Sequence, residues 1–501
     1  MKKIISTFLV GLISLSTFSI PTYANEITVT IIHTNDIHGR FVETDNVIGI
    51  DRIAAIYNAT ENSILVDAGD TFHGLPFVNF TQGINAVELM NLAGYRLLTP
   101  GNHDFNFGQE RLKELSEVAE FDIIAANVLR DGEHVFAPYS LIEVHGITLG
   151  IFGIAYPGTP VVTLPANVYG LEFTNPIEVA RDTIQALQEH NVNAIIALAH
   201  LGISGDAWSL SMAEELSYID IIIDGHSHTL LEEGLLINDV LIAQAGAHSA
   251  YVGILELTFV NGNLTNTVAS YINHEYALEN FEPVLEISAL IEEMESELSY
   301  ILDEVIGYSP FTLYGDSPEH RSNLRGQEVP LGNLVADSAR YNNDSDIAIV
   351  NSGNIRYHLH AGYITRGNII EILAFFNYSV VVEITPYILT QALDLAVSQP
   401  GHGRFPQVSG FSFVYNGNAY DGERIISITF NEEELDLNDN ETILSLSINN
   451  FMHAGGDGFE MFMDLNVIGE GATEDEQLIA FLEIVDWDNV GVEGRIINTA
   501  N

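Results

Sequence analysis

Val29-Thr30-Ile31-Ile32-His33-Thr34-Asn35-Asp36-Ile37-His38-Gly39 is an apolar, strand-like run that stops on an Asp and a His two residues apart. The same form returns four more times before residue 230. Residues 64–66 run into Asp67-Ala68-Gly69-Asp70, and Leu97-Leu98 precedes Gly101-Asn102-His103-Asp104. Residues 195–198 are followed by His200, and 221–223 by Gly225-His226-Ser227-His228. A single His after a strand is ordinary. Five oxygen- and nitrogen-bearing clusters, each after a strand, indicate one site at the carboxyl edge of a sheet, where open α/β folds gather ligands. Seven side chains of this kind suffice for two metal ions sharing a carboxylate.

Around these clusters, short apolar runs alternate with helical patterns. Strands are expected near 27–33, 63–67, 95–99, 122–127, 147–154, 193–199 and 220–224, with helices over 86–93, 109–119 and 177–190. That rhythm predicts a layered α/β domain over residues 25–280. Residues 241–244 and 251–259 read as antiparallel pairing. Then Ile287, Leu290, Ile291, Met294, Leu298, Ile301, Leu302 and Val305 recur at three- and four-residue steps between glutamates, with Pro283 at the start. The pattern predicts one amphipathic helix over 283–306, about six turns long. The character of the chain changes on either side of it, so 281–308 is taken as a connector. A second α/β unit follows over 309–501, with strands expected at 347–350, 380–384, 410–415, 425–430 and 442–448.

The chain has 501 residues, 47% of them hydrophobic, enough for two or three domains. Residues 1–24 read as a secretory signal: Lys2-Lys3, an apolar 4–20, then Thr22-Tyr23-Ala24 before the cut; an uncleaved anchor is the alternative. A secreted or extracytoplasmic location follows, with no membrane span once the signal is removed. There is no cysteine, so neither a disulfide nor a thiolate ligand is available. Sixty-nine acids against 17 bases give a net charge of −52, which repels nucleic-acid polymers and anionic membranes. An anionic substrate must then be attracted locally, by metals and a few of the 14 arginines.

Together, Ile32-His33-Thr34-Asn35-Asp36-Ile37-His38-Gly39, Gly69-Asp70, Gly101-Asn102-His103-Asp104, Ala199-His200-Leu201-Gly202 and Gly225-His226-Ser227-His228-Thr229 resemble the calcineurin-like metallophosphoesterase pattern. In this order and spacing they resemble the secreted 5'-nucleotidase, UDP-sugar hydrolase and 2',3'-cyclic-nucleotide phosphodiesterase family, over nearly the whole mature chain. The resemblance implies an αββα sandwich, a connecting helix and a substrate-binding α/β domain. It implies two divalent ions: Asp36, His38 and His228 on one, Asn102, His200 and His226 on the other, with Asp70 bridging. Zinc or manganese would suit that set, with iron(II) as the alternative. His103 would act on the transferred phosphoryl group and its leaving oxygen. The family usually orients this His with an Asp three residues on; here the position is Asn106. An amide accepting from the imidazole cannot stabilise imidazolium by charge, so a lowered His103 pKa is expected. His73 and His248 match no ligand position and are read as supporting residues.

The same resemblance carries the second domain. Arg325 and Arg356 would contact substrate phosphate, with Arg321 a weaker third; Arg404 is read as a surface ion pair. Asn351 would contact the base, Phe405 and Phe451 would sandwich it, and Asp457 would bind ribose hydroxyls. Ser352 and Asn354 stand where the family usually has glycine, which leaves base preference open. The expected activity is dephosphorylation of nucleoside 5'-monophosphates, with di- and triphosphates or UDP-sugars as further substrates. Two rivals remain: a 2',3'-cyclic-nucleotide phosphodiesterase with 3'-nucleotidase activity, motivated by Asn106, and a silent nucleotide-binding or adhesion protein, against which stands the full ligand set.

Overall fold

The computed structural model describes residues 26–500 apart from Leu164 and Pro318, so the expected signal segment 1–24 lies outside the described residues. Two six-stranded sheets form the first half. One runs in the order Asn263–Asn273, Tyr251–Val260, Glu26–Thr34, Ser63–Asp67, Leu97–Leu98 and Asp122–Ile123. The other runs Leu235–Ile237, Val240–Ala243, Ile221–Ile223, Ala194–Ala199, Ile147–Ile154 and Tyr139–Val144. Alternate residues of both sheets, among them Val29, Ile31, Val66, Ile151, Ile196 and Ile221, bury against each other as one core. Gly153 allows the approach: a Cβ there would collide with the Ile124 carbonyl of the facing sheet.

The opposite faces are covered by helices. Ile50–Ala59 and Ile84–Ala93 pack on Ile32, Leu65 and Leu98, while Pro176–Glu189 and Trp208–Glu215 cover Ile154, Ala197 and Ile222. The layers are therefore helix, sheet, sheet, helix. The central strands of each sheet position the clusters. Thr34 pairs with Asp67 and Asp67 with Leu98 in parallel register, as do Ala199 with Ile154 and Leu198 with Ile223. Parallel strands end on the same edge, so all five clusters emerge together.

Two expectations need correcting. The strand Val240–Ala243 is antiparallel only to its edge neighbour; toward Ile221–Ile223 it is parallel. The amphipathic helix is Leu285–Leu302, and Val305 already belongs to the strand Val305–Ser309, paired with Gly362–Thr365. Val305 fits the helical step by coincidence of spacing. The helix buries Ile287, Ile291 and Met294 against the first domain, and Ser288 Oγ donates to Asp51 Oδ2 at 2.6 Å.

The second domain is built on a five-stranded sheet, Pro406–Ser409, Ile347–Asn351, Leu444–Asn449, Tyr378–Ile384 and Val467–Thr473. Helices Pro330–Asn342 and Glu474–Leu482 cover one face, and Pro386–Ala396 with a four-stranded sheet covers the other. Among the described residues no helix is long and apolar enough to cross a membrane.

Candidate metal centre

Asp36, His38 and His228 offer ligand atoms within 4.8 Å of one another, and so do Asp70, His200 and His226. The groups adjoin: His200 Nε2 lies 3.1 Å from Asp70 Oδ2 and 3.9 Å from Asp36 Oδ1, and His38 Nε2 lies 3.8 Å from Asp70 Oδ2. Asn102 Oδ1 completes the second group, 3.1 Å from His226 Nδ1. All seven residues singled out in the sequence are thus in one cluster.

Its geometry fits divalent cations. The Nε2 atoms of His38 and His228 face each other at 3.3 Å, and buried His200 Nε2 has no hydrogen-bond partner despite its approach to Asp70. Such lone pairs are costly unless a cation takes them. Backbone carbonyls select the tautomer: Ala68 O accepts from His200 Nδ1 at 2.6 Å, and His73 O lies 3.4 Å from His38 Nδ1. With the proton on Nδ1, Nε2 is free for a metal. Asp36, His38, Asp70, His226 and His228 all hold positive φ, between 48° and 72°. Such strain persists only where the surroundings over-determine it, typically at functional sites.

Electrostatics agree. Burial raises the Asp70 carboxyl, but the imidazoles of His200, His103 and His226 outweigh that and hold it far below the carboxylate range. Burial opposes charge on His200, yet Asp70 and Asp36 raise it to about 10. His226 falls to about 4 through burial and the neighbouring His200. Without a metal, the carboxylates of Asp70 and Asp36 draw a proton onto His200 where a cation would otherwise sit. The crowded His38, His103 and His226 imidazoles are held neutral, so the cluster is a slot for cations.

Asp104, whose direction the sequence leaves open, clamps the loops. Its Oδ2 accepts from Asp70 N and Gly101 N, and its Oδ1 from Thr71 N and Phe72 N, each at 2.8 Å. Asp224 does the same for the His200 loop, accepting from Leu201 N at 2.9 Å and Gly202 N at 3.1 Å. Tyr156 stacks on His226 with ring centroids 4.2 Å apart and donates to Asp206. No spacing rule marks any of these three.

His103 sits beside the cluster, its ring 5.0 Å from that of His38. Asn106 Nδ2 lies 2.9 Å from His103 Nδ1, and Asn106 Oδ1 accepts from Thr163 Oγ1 at 2.7 Å. So oriented, the amide donates to the imidazole instead of accepting from it. His103 is indeed held well below the usual imidazole range, but burial is the main cause, with Arg356, His73 and His200 adding to it.

Across the domain boundary, Arg356 lies 5.5 Å above the Phe375 ring, which stacks on His73 at 5.1 Å; His73 in turn stacks on His103 at 5.9 Å. His73 Nε2 also meets the Ala374 carbonyl at 3.1 Å, joined there by Asn79 Nδ2 at 2.9 Å. His248 packs 5.4 Å from His228 without entering either ligand group. Arg321 Nε and Arg325 Nη2 share Asp316, at 2.6 and 2.7 Å. Arg404 has no carboxylate partner among the described residues and instead contacts His402 Nδ1 at 3.2 Å, so the expected surface ion pair is absent.

Asn351 Nδ2 donates to Asp457 Oδ2, and its Oδ1 accepts from Asn449 Nδ2, both at 3.0 Å, so both its polar ends are engaged by the protein. Phe405 is 1% exposed, within the domain core. Its ring has no open face, whereas half-buried Phe451 lies against Gly456 beside Asp457. Ser352 and Asn354 turn their side chains inward, to the Leu324 and Phe405 carbonyls and to Glu474.

Residues 29–230 match the family model of calcineurin-like phosphoesterases, and residues 305–464 that of the 5'-nucleotidase C-terminal domain. The trifunctional nucleotide phosphoesterase protein YfkN of Bacillus subtilis (strain 168) is 29% identical over 87% of this chain, which spans about a third (32%) of that protein's length. A 5'-nucleotidase of Diplobatis ommata is 26% identical over 94% of this chain and 90% of its own. The 5'-nucleotidase precursor of Thermus thermophilus superposes with a TM-score of 0.82 at 28% identity, over 94% of this chain and 99% of that one. The two-group ligand cluster and the two domain matches agree: this chain belongs to the calcineurin-like phosphoesterases that carry a 5'-nucleotidase C-terminal domain.

Proposed function

We propose that this protein hydrolyses nucleoside 5'-monophosphates to nucleoside and phosphate outside the cytoplasm, using two ions held by Asp36, His38, His228 and by Asn102, His200, His226, with Asp70 between them. The observation that carries the reading is Arg356, a second-domain cation set against the metal side and free of any carboxylate partner among the described residues. Zinc or manganese suits the His-rich, thiolate-free donors, and iron(II) is compatible. When bound, the ions supply Lewis-acid charge and an activated water.

The chain's own groups do the rest. Arg356 and Arg325 bind phosphoryl oxygens, a role for which planar guanidinium is suited, and Arg321 supports them through Asp316. With Asn106 donating to Nδ1, the neutral His103 ring carries its proton on Nε2 and hydrogen-bonds the developing charge on the leaving oxygen. Asp457, oriented by Asn351, accepts from the ribose hydroxyls. Phe451 supplies the stacking face for the base; Phe405 supports it from within the core. Nucleotides with more phosphates or a sugar leaving group fit the same chemistry, and residues 1–24 would direct export.

A second reading, a 2',3'-cyclic-nucleotide phosphodiesterase with 3'-nucleotidase activity, is favoured by Asn106, which gives His103 no charged partner. Turnover of AMP, 3'-AMP and 2',3'-cyclic AMP by metal-reconstituted protein decides between them. AMP is expected to be the best substrate, and negligible AMP hydrolysis refutes the first reading.

A further inference from the structure

Residues 373–377 join the second-domain helix Arg366–Ile372 to the strand Tyr378–Ile384, and three of them press on the first domain. The Ala374 carbonyl accepts from His73 Nε2 at 3.1 Å and from Asn79 Nδ2 at 2.9 Å. The Phe376 ring meets that of Phe80 edge-on at 6.3 Å. Phe376 also holds φ at +53°, which a bulky side chain adopts only where its surroundings over-determine it. Asn377 ties the far end to its own domain. Its Nδ2 donates to Asn354 Oδ1 at 3.1 Å, and its carbonyl accepts from Glu474 N at 2.8 Å. The backbone that carries Phe375 is therefore held on both sides.

Phe375 is what this turn presents to the site. Its ring lies 5.7 Å from that of His103, tilted by 31°, and 5.1 Å from that of His73, stacked within 23°. His73 and His103 are themselves 9° from parallel, with centroids 5.9 Å apart. Arg356 Cζ sits 5.5 Å from the centroid of the Phe375 ring. A guanidinium is drawn to an aromatic face, and neighbouring rings settle into offset or tilted pairs. One second-domain ring thus adjoins both Arg356, placed on the phosphoryl oxygens, and His103, placed on the leaving oxygen. On its other side His103 has the in-plane contact of Nδ1 with Asn106 at 2.9 Å. Such a contact holds one ring atom. A flat neighbour restricts rotation of the whole ring, and so the direction in which Nε2 points.

We propose that Phe375, held beneath Arg356, is a positioning residue that aims the His103 ring at the leaving oxygen. The proposal rests on the role given to His103 above. Its test is the ratio of kcat for AMP to kcat for p-nitrophenyl phosphate in metal-loaded protein. The alkoxide leaving from AMP needs a hydrogen-bond donor, whereas p-nitrophenolate leaves without one. His103→Ala should lower the ratio at least tenfold. Phe375→Leu, apolar and only slightly smaller but without the flat face, should lower it at least fivefold. Phe375→Tyr, which keeps the ring, should hold it within twofold, and adding Phe375→Leu to His103→Ala should change it no further. A ratio within twofold of wild type in Phe375→Leu overturns the role. So does a further fivefold fall in the double variant, or a loss in Phe375→Tyr equal to that in Phe375→Leu. Should the leucine variant not fold, Phe375→Met carries the same expectation and the same refutation. If His103→Ala lowers the ratio and Phe375→Leu does not, only the positioning role fails; if His103→Ala leaves it unchanged, the leaving-group reading of His103 falls and takes the positioning role with it.

Discussion

Replacing Asp104 with Asn barely changes volume and exchanges one carboxylate oxygen for an NH2 group, yet it should damage both stability and metal binding. Four backbone N–H groups at 2.8 Å share the carboxylate, two on each oxygen. Whichever way the amide is turned, its NH2 faces two of those donors, and either Thr71 and Phe72 or Asp70 and Gly101 lose their acceptor. A buried donor left unsatisfied costs about 1–3 kcal/mol, and the two surviving bonds fall from charge-assisted to neutral. The sum is about 3–5 kcal/mol, a large part of the roughly 5–15 kcal/mol typical of a folded domain. The same bonds tie the Asp70 loop to the Asn102 loop, and loss of such support usually costs about 10–100-fold in metal affinity. Urea unfolding of metal-free protein measures the first effect, and metal content after dialysis against a graded chelator measures the second. A variant within 1 kcal/mol of wild type that retains both ions would show that Asp104 does not hold the loops together, and the reasoning would fail.

Arg356→Ala should lower kcat/KM for AMP by roughly 10–100-fold, the value of one or two charge-assisted bonds; an unchanged kcat/KM would remove Arg356 from the site. Phe451→Ala should raise KM for AMP by roughly 5–100-fold, since stacking on a base is worth about 1–3 kcal/mol, while turnover of p-nitrophenyl phosphate stays within twofold. Glu474 is buried and its carboxyl is pushed up to about 8, above the unfolded value of 4.5. The folded state therefore holds a proton that the unfolded state has lost between these values, and stability falls as pH rises from 4.5 to 8, by at most about 1.4 kcal/mol per unit. Glu474→Gln should flatten that slope in denaturant titrations at pH 5, 6.5 and 8, and parallel curves for both proteins would contradict it. Chelation should abolish activity, and zinc or manganese should restore it; full activity in metal-free protein is the contrary result.

The first domain is legible in the sequence because two periods coincide there: apolar runs of strand length, each closed by a ligand-bearing turn. Buried parallel strands give continuous apolar stretches, so 63–67 and 147–154 coincide with Ser63–Asp67 and Ile147–Ile154. Pairing direction is not carried by such runs, which is why Val240–Ala243 reads as antiparallel from sequence. Helix length is overread at Val305 because a strand residue can fall on a helical step when both elements are amphipathic. In the site, ligands are legible as residue types at strand ends, but supporting contacts are not. His73 and Thr163 act through groups at least 30 positions away, His73 also across the domain boundary, and sequence spacing has no term for such distances. Phe405 shows the converse: the motif identifies the residue, but not that its ring is closed into the core.

The placement of these late-appearing residues bears on how the two domains divide the work. The seven candidate ligands come from the first domain alone, so on the proposed reading ions can be held whatever the second domain does. His103 is different. On one side it stacks on His73, which meets the Ala374 carbonyl and Phe375 of the second domain. On the other it contacts Asn106, which accepts from Thr163 at the end of the short helix Thr159–Val162, and that helix packs on Gly456–Gly458, the segment containing Asp457. Both neighbours of the ring are therefore braced by the second domain. On that reading a mispositioned His103 would cost catalysis without costing metal, whereas a mispositioned ligand would cost both. On the proposed reading, candidate ligands on one sheet edge and a leaving-group histidine between two inter-domain contacts would make hydrolysis depend on how the domains meet around substrate, which is how closure couples selectivity to chemistry.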